Sequence, residues 1–356
     1  MNTLLDTLTD LSHEFGTADY VQGGGGNTSA KTADTLWVKP SGTTLAGLTP
    51  DAFVAMDRSR LARLFSLQAP SKAAEREAVV KEVMAAAVTS KPQSRASVEA
   101  PLHDVLNGIY VVHTHPALIN GLTCSLQGEA LCREWFPEAL WVPYVDPGYT
   151  LCLDVRQRIL EYERACGRQP NLLLLGNHGV FVAGDTPDAV RSVYERVVTT
   201  LKQVYAKAGV PLAFKMESAA SAAEVEATGR IVSAVMGTEG LHVVYGGRFA
   251  VAQGPLSPDH IVYAKSFTFQ GPLTREAVES FKAERGYEPR VLVTDQGVFA
   301  VGASASQAQL ALDVARDGAL IVRYAAAFGG ARYLDDKARS FIENWEVESY
   351  RQKQMR

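Results

Sequence analysis

Hydrophobic positions at the start of the chain recur with the period of an α-helix. Leucines occur at positions 4, 5, 8 and 11, and apolar residues three or four positions apart share one face of a helix. A second helix is predicted over 72–88, which is rich in alanine, glutamate and valine. The clearest helix is 186–209, because Thr186 suits the cap, Pro187 suits the first turn and a glycine ends it.

Segments rich in β-branched and aromatic residues predict strands between these helices. Residues 35–39 read TLWVK and residues 108–115 read GIYVVHTH, compositions that are typical of strands. Residues 171–184 read NLLLLGNHGVFVAG, which predicts two strands joined by a tight turn around His178. The mixture of strands and helices over 356 residues indicates an α/β protein with one large domain or two ordinary ones.

A pattern in the last third of the chain repeats an earlier one. LLGNHGVFVAGDT (174–186) returns as VTDQGVFAVGAS (293–304), and each copy is followed by a helix-like stretch. A weaker match links 36–57 with 249–267. The second copy has Gln296 where the first has His178, so it cannot hold the same chemistry. We expect a smaller α/β C-terminal unit that is a degenerate partial repeat, the alternative being a chance match of two hairpins.

Composition and charge narrow the class of protein. Apolar residues make up 47% of the chain and charged residues 21%, as in a globular protein with a full core. The net charge is -4 and basic residues form no runs, which argues against nucleic-acid and membrane partners. The N-terminus lacks the features of a secretory signal, and scattered cysteines without C-x-x-C spacing are typical of reduced thiols. We therefore expect a soluble, cytoplasmic protein.

Three histidines are the strongest candidates for chemistry. His113 and His115 alternate along a predicted strand, so both side chains point to one face. His178 lies at a turn whose flanking glycines allow a sharp reversal. Three neutral imidazoles leave a bound metal with open positions, as in catalytic rather than structural sites. The alternative is a set of core and turn histidines, since the pattern H-x-H alone is common.

The three histidines make several other polar segments candidates for a role in the same site. Glu99 precedes the strand of His113 and could ligate a metal or move protons, although most glutamates are simply solvated. The glycine-rich loop at 23–29 and the segment 39–43 offer backbone N–H groups that suit an anion. Neither matches a nucleotide-binding fingerprint. His103 is close in sequence and could lie beside the metal ligands.

The order of these motifs resembles the class II aldolase/adducin family, which includes fuculose-phosphate and rhamnulose-phosphate aldolases. The resemblance covers about residues 1–215. Residues 235–356 resemble the middle region of long bacterial rhamnulose-phosphate aldolase proteins, which continue into a dehydrogenase domain that this sequence lacks. The motifs are Gly26-Asn27-Thr28-Ser29, Lys39-Pro40-Ser41-Gly42, Ser97-Val98-Glu99, His113-Thr114-His115 and Asn177-His178-Gly179.

The resemblance implies α/β/α layers around a mainly antiparallel central sheet and a homo-oligomer, with a tetramer expected. It implies a catalytic domain over 1–215, a connecting segment over 216–234 and a C-terminal domain over 235–356. The cofactor would be Zn²⁺, or Mn²⁺ or Co²⁺. The C-terminal domain would cover the active site, mediate oligomerisation or dock a separate dehydrogenase subunit.

The resemblance also implies roles for particular residues. His113, His115 and His178 would hold the metal, Glu99 would be the general acid/base, and Tyr144 or Tyr149 would donate a proton. The residues expected to bind a substrate phosphate are Gly26, Asn27, Ser41, Gly42 and Ser97. Val98 replaces a second serine present in many aldolases, and Thr43 and Thr44 also depart from the pattern, which leaves the identity of the anion open.

The function implied is a metal-dependent lyase that cleaves a C–C bond of a small hydroxy-ketone, a sugar phosphate in the first instance. Cleavage next to a carbonyl leaves an enediolate, and a divalent ion that spreads its charge is the chemistry such a bond requires. The alternatives are a decarboxylase, an epimerase or a dehydratase on a related sugar phosphate. A non-catalytic, adducin-like binding protein is a further alternative, which the retained histidines disfavour.

Overall fold

The computed structural model describes residues 3–68, 70, 72–90, 95–214, 220–237 and 240–345. The chain divides into two compact units. The N-terminal unit comprises the residues up to Ile119 together with Gln127–Leu201, and the C-terminal unit comprises Asn120–Leu126 together with the residues from Lys202 onwards. The expected division into 1–215, 216–234 and 235–356 stays a prediction, and its first boundary lies outside the described residues.

The N-terminal unit is built around a seven-stranded sheet in the order β3-β2-β1-β4-β7-β6-β5. All neighbouring strands are antiparallel except β5 and β6, which are parallel. This confirms the expected mainly antiparallel sheet. The strands are β1 (Asn27–Lys31), β2 (Thr35–Val38), β3 (Val54–Asp57), β4 (Tyr110–Thr114), β5 (Leu140–Val142), β6 (Leu172–Leu175) and β7 (Gly179–Gly184).

Helices precede, connect and follow the strands of this sheet. They are α1 (Leu4–Glu14), α2 (Arg58–Leu61), α3 (Ala73–Ala87), α4 (Ala100–Val105), α5 (Ala117–Thr123), α6 (Gly128–Trp135), α7 (Tyr149–Cys166) and α8 (Pro187–Lys207), with a 3-10 turn at Ala62–Ser66. Helices α1, α3 and α8 confirm the three helices predicted from the sequence. The predicted cap of α8 is also present, because the Thr186 hydroxyl accepts from the Ala189 backbone N–H at 3.1 Å.

Helices cover both faces of the sheet. On one face the Ser12 hydroxyl of α1 hydrogen-bonds to Thr28 of β1 at 2.6 Å, and Tyr194 of α8 hydrogen-bonds to Thr114 of β4 at 2.8 Å. On the other face α4 and α7 pack into a buried cluster with β4 and β7. The N-terminal unit therefore has the expected α/β/α layers.

The structure also bears on two expectations from composition. Among the helices that it describes, none combines the length and the apolar character needed to cross a membrane. The four cysteines are all free, and the three at 124, 132 and 152 are buried.

The C-terminal unit contains a second, three-stranded antiparallel sheet in the order β8-β10-β9. Its strands are β8 (His242–Tyr245), β9 (Val291–Thr294) and β10 (Gly297–Gly302). Its helices are α9 (Ala222–Met236), α10 (Pro258–Ala264), α11 (Arg275–Arg285), α12 (Ala305–Ala325) and α13 (Asp336–Glu343), with a 3-10 turn at Ala326–Phe328.

This second sheet repeats the pairing of three strands of the first. Strand β10 and helix α12 have the same lengths as β7 and α8. Strand β4 places His113 opposite Phe181 of β7, and β8 places Tyr245 opposite Phe299 of β10. The shared register is what a partial repeat requires. In this copy Tyr245 and Gln296 stand at the positions of His113 and His178, two candidate metal ligands of the first copy. The Tyr245 hydroxyl donates to the backbone carbonyl of Gln296 at 2.8 Å.

Candidate metal centre

Two neighbouring strands bring the three predicted histidines together. His113 lies near the end of β4 and His115 follows the strand, while His178 lies in the turn between β6 and β7, and β7 pairs with β4. Asn177 has a φ of 54°, a left-handed conformation that asparagine tolerates and that makes the turn tight. The ligand atoms of His113, His115 and His178 all lie within 4.8 Å of one another. These side chains could hold a metal ion.

The His113 ring is fixed in an orientation that suits a metal ligand. Its Nδ1 is 2.9 Å from the backbone carbonyl of Val180, which fixes the proton on Nδ1 and leaves the lone pair of Nε2 free. The ring stacks on Phe181 with 3.8 Å between centroids, and its Nε2 is 2.9 Å from that of His115. Burial, opposed by Glu99, lowers the pKa of His113 well below its ordinary value.

One carboxylate oxygen of Glu99 lies close to the imidazole nitrogens of His113 and His178. Its Oε1 lies 3.4 Å from Nε2 of His178 and 3.5 Å from Nε2 of His113, and it has no hydrogen-bond partner among the described residues. Burial raises the pKa of Glu99, but the neighbouring imidazoles and the hydrogen bond from Asn27 outweigh burial and hold the pKa below its ordinary value. A buried, unbonded carboxylate oxygen beside three imidazoles fits a cation.

Asn27 binds the other carboxylate oxygen of Glu99, and His103 positions Asn27. The Asn27 side-chain N–H donates to Glu99 Oε2 at 2.6 Å, so the amide oxygen of Asn27 must accept from Nε2 of His103, its other partner. His103 therefore carries its proton on Nε2, and its Nδ1 accepts from the Ser29 hydroxyl at 2.7 Å. Burial lowers the pKa of His103 to about 3. The ring is a neutral link that positions the Asn27 amide.

Lys31 supports the same network through backbone atoms. Its ammonium donates to the carbonyl of His103 at 2.6 Å and to the carbonyl of Leu106, which are orphan acceptors at the end of α4. The side chain is 8% exposed, and burial lowers the pKa of Lys31 to about 8. The sequence analysis did not single out Lys31, because the polar composition of β1 does not predict a strand.

The segments predicted to bind an anion lie close to each other. Pro40 pairs with Ala96 in an isolated bridge, and the Ser97 backbone N–H donates to the Lys39 carbonyl at 3.1 Å. The Ser41 hydroxyl is buried and has no hydrogen-bond partner within the described ranges. These contacts place Ser41 and Ser97 on adjoining segments.

The remaining predicted anion-binding residues have distinct surroundings. Gly26 adopts a φ of +64°, and a Cβ there would lie 2.7 Å from the His113 carbonyl, so only glycine fits beside this strand. Gly42 also has a positive φ, of 84°. The Ser97 hydroxyl accepts from the Glu99 backbone N–H at 3.3 Å, and the amide of Asn27 contacts Glu99 and His103. The role of all five residues in binding phosphate stays a prediction.

The two candidate tyrosines have different surroundings. The Tyr144 hydroxyl donates to Asp146 at 3.2 Å, and Tyr144 is half-buried in the segment that follows β5. Tyr149 is buried and its hydroxyl donates to the Leu64 carbonyl at 2.9 Å. Its hydroxyl is therefore engaged in the packing of the N-terminal unit, which leaves Tyr144 as the tyrosine to test as a proton donor.

The model of one protein family, described as the class II aldolase and adducin N-terminal domain, matches residues 6–205. A curated relative, the uncharacterized oxidoreductase YuxG of Bacillus subtilis, is 28% identical over 191 residues, which are 51% of this chain and 26% of that protein. The match thus spans about a quarter of the length of this relative.

Solved structures of similar proteins carry class II aldolase descriptions. The N-terminal class II aldolase domain of a conserved protein from Thermoplasma acidophilum is 22% identical, with a TM-score of 0.48, and the match covers 57% of this chain and 94% of that one. The L-fuculose-1-phosphate aldolase from Thermus thermophilus is 18% identical, with a TM-score of 0.35, and the match covers 56% of this chain and 90% of that one.

Proposed function

The chain belongs to the class II aldolase and adducin family, and from this premise we propose that it is a metal-dependent lyase that cleaves a carbon–carbon bond of a small hydroxy-ketone. The observation that carries the proposal is the convergence of three imidazole nitrogens and the unbonded Oε1 of Glu99 on one point. A protein that used the fold only for binding would have no need of this cluster. The proposed substrate is a sugar phosphate.

The proposed metal ligands are His113, His115 and His178. Three nitrogen ligands favour Zn²⁺, and Mn²⁺ or Co²⁺ are the alternatives. When bound, such an ion acts as a Lewis acid that draws electron density from the ketone and the neighbouring hydroxyl of the substrate. The hydrogen bond from His113 to the Val180 carbonyl fixes the tautomer that this role needs.

Glu99 is proposed to move the proton at the reacting carbon. Cleavage of the C–C bond leaves an electron pair on the carbon beside the carbonyl, and this carbon must gain a proton before the product leaves. Asn27 holds Oε2 of Glu99, so Oε1 is the oxygen left to carry the proton. We propose Tyr144 as the group that exchanges a proton with the hydroxyl that becomes the aldehyde.

The phosphate is proposed to bind at the loops that contain Gly26, Ser41, Gly42 and Ser97. The buried hydroxyl of Ser41, which lacks a partner within the described part of the chain, supports this assignment. Asn27 has one amide hydrogen left for the anion, because the other is donated to Glu99.

The test is a screen of sugar phosphates for aldehyde release, with Glu99→Gln as the matched variant. Glu99→Gln keeps the shape of the side chain but removes its proton-transfer capacity, so we expect turnover to fall about 10²–10⁴-fold while the metal content stays unchanged. The exposed Glu134→Gln serves as the control and should retain full activity. Undiminished turnover in Glu99→Gln would contradict the role of this residue. Substrate loss without aldehyde would replace the lyase by an epimerase or a dehydratase.

We also propose a cytoplasmic homo-oligomer, with a tetramer as the expected state. Light scattering of the purified chain measures its mass in solution. A separate dehydrogenase subunit is a further proposal, supported by the match to part of a longer relative named an oxidoreductase. Co-purification of a dehydrogenase from the native cell would support it, and a fully active homo-oligomer would count against it.

A further inference from the structure

His115 is held by a contact outside the sheet. Strand β4 ends at Thr114, so His115 lies one residue beyond the last position of the strand. Its backbone N–H donates to the carbonyl of Tyr20 at 2.9 Å rather than to a neighbouring strand. The side chain is half-buried, whereas His113 is fully buried. The position of His115 therefore depends on the residue before it, Thr114, and on Tyr20.

Thr114 points to the face of the sheet opposite to the two histidines. It lies between His113 and His115 in the sequence, and successive side chains of a strand point to opposite faces. The residue is fully buried, and its hydroxyl hydrogen-bonds to the hydroxyl of Tyr194 in α8 at 2.8 Å. Because an unpaired buried hydroxyl is costly, this contact fixes the side chain that separates the two ligands.

Tyr194 also contacts Tyr20. The two rings meet edge to face with 5.9 Å between their centroids. The ring of Phe15 packs against both, with centroids 4.9 Å from Tyr20 and 4.5 Å from Tyr194. Such aromatic pairs add stability beyond the surface that they bury. Tyr194 therefore contacts both of the residues on which the position of His115 depends.

The hydroxyl of Tyr194 contacts the strand on both sides of His113. Besides the contact with Thr114, it lies 3.4 Å from the backbone carbonyl oxygen of Val112. Tyr194 is 2% exposed, and burial raises the pKa of Tyr194 above its ordinary value, so the hydroxyl keeps its proton. None of these contacts is with an imidazole ring, so Tyr194 can act on the metal ligands only through the strand.

We propose that Tyr194 is a positioning residue for the metal centre. From the opposite face of the sheet it holds Thr114 and Tyr20, and thereby sets the placement of His115 relative to His113, whose Nε2 atoms lie 2.9 Å apart. The inference rests on the metal centre of the proposed function, but it concerns the affinity for the metal and not the reaction.

The first test measures the dissociation constant for Zn²⁺ by competition with a chelator. Tyr194→Phe removes only the hydroxyl and should weaken binding about tenfold, as loss of a group that orients metal ligands commonly does. Thr114→Val removes the other hydroxyl and should weaken binding to a similar extent. The double variant should bind no more weakly than either single variant, because both changes break the same hydrogen bond. Thr114→Ser keeps the hydroxyl and should bind like the wild type.

The second test is the visible absorption spectrum of the Co²⁺-loaded protein, which reports the coordination geometry. At saturating Co²⁺ we expect the bands of Tyr194→Phe to shift from those of the wild type, whereas a general loss of stability would leave them in place. The matched control is Tyr162→Phe, which removes a tyrosine hydroxyl that donates to the Glu138 carbonyl at 2.9 Å in the same unit. This control should keep the affinity and the spectrum of the wild type.

Three outcomes would overturn the proposal. Wild-type affinity and an unchanged Co²⁺ spectrum in Tyr194→Phe would show that the hydroxyl does not position the ligands. A double variant whose loss of affinity is the product of the two single losses would show that the hydroxyls of Thr114 and Tyr194 act independently. A wild-type protein that binds no metal would overturn the proposed function as well, whereas the first two outcomes leave the proposed function standing.

Discussion

Burial of Lys31 predicts a pH dependence of stability that a single substitution removes. The pKa of Lys31 is lowered from 10.5 to about 8 by burial, so between these values the unfolded chain binds a proton that the folded chain has released. The contribution of Lys31 to stability therefore rises with pH across this window and is lost as the pH falls through about 8. The gain between pH 8 and pH 10 is about 2 kcal/mol.

Lys31→Met removes the titrating group while keeping a similar length of side chain. We expect the free energy of unfolding of the wild type minus that of the variant to rise by about 2 kcal/mol between pH 8 and pH 10, because only the wild type carries the titrating group. Urea unfolding measures this at several pH values, followed by the fluorescence of Trp37, Trp135 and Trp141, which lie in the same unit. The exposed Lys202→Met is the control. Parallel curves for wild type and Lys31→Met would refute a lowered pKa.

Three further predictions concern the metal centre. Gly179→Ala should lower metal affinity at least about tenfold, because a Cβ there would lie 2.5 Å from the His115 ring. Competition with a chelator measures this affinity, and an unchanged value would contradict the close packing. His103→Phe should retain metal but lower kcat by about 10–100-fold, because the substitution leaves Asn27 free to turn away from the Glu99 carboxylate. An effect on KM alone would contradict this positioning role. Tyr144→Phe should keep its metal and lose turnover by about 10²-fold, and full activity would exclude it as the proton donor.

The three histidines show how far local sequence can predict a site. The alternation of His113 and His115 fixes a shared face without any knowledge of the rest of the fold. The glycines beside His178 predict the turn that the structure contains. The sequence could not show that β7 pairs with β4, which is the contact that brings the third histidine to the first two.

Strand β1 shows why the contacts between the site residues escaped prediction. It reads NTSAK, and all five residues are buried, although a polar composition usually indicates an exposed segment. The polar side chains are buried because hydrogen bonds satisfy them, as between Asn27 and Glu99, which are 72 positions apart. A pattern of hydrophobic positions does not record such long-range partners.

The proposed metal centre is tested by the metal content of wild type, His178→Ala and His242→Ala, measured by elemental analysis after purification without added metal. His242 is an exposed histidine of β8 and serves as the matched control. We predict about one zinc, manganese or cobalt ion per chain in wild type and in His242→Ala, and loss of that metal in His178→Ala. Absence of metal from wild type, even after reconstitution, would contradict the metal centre and with it the proposed lyase.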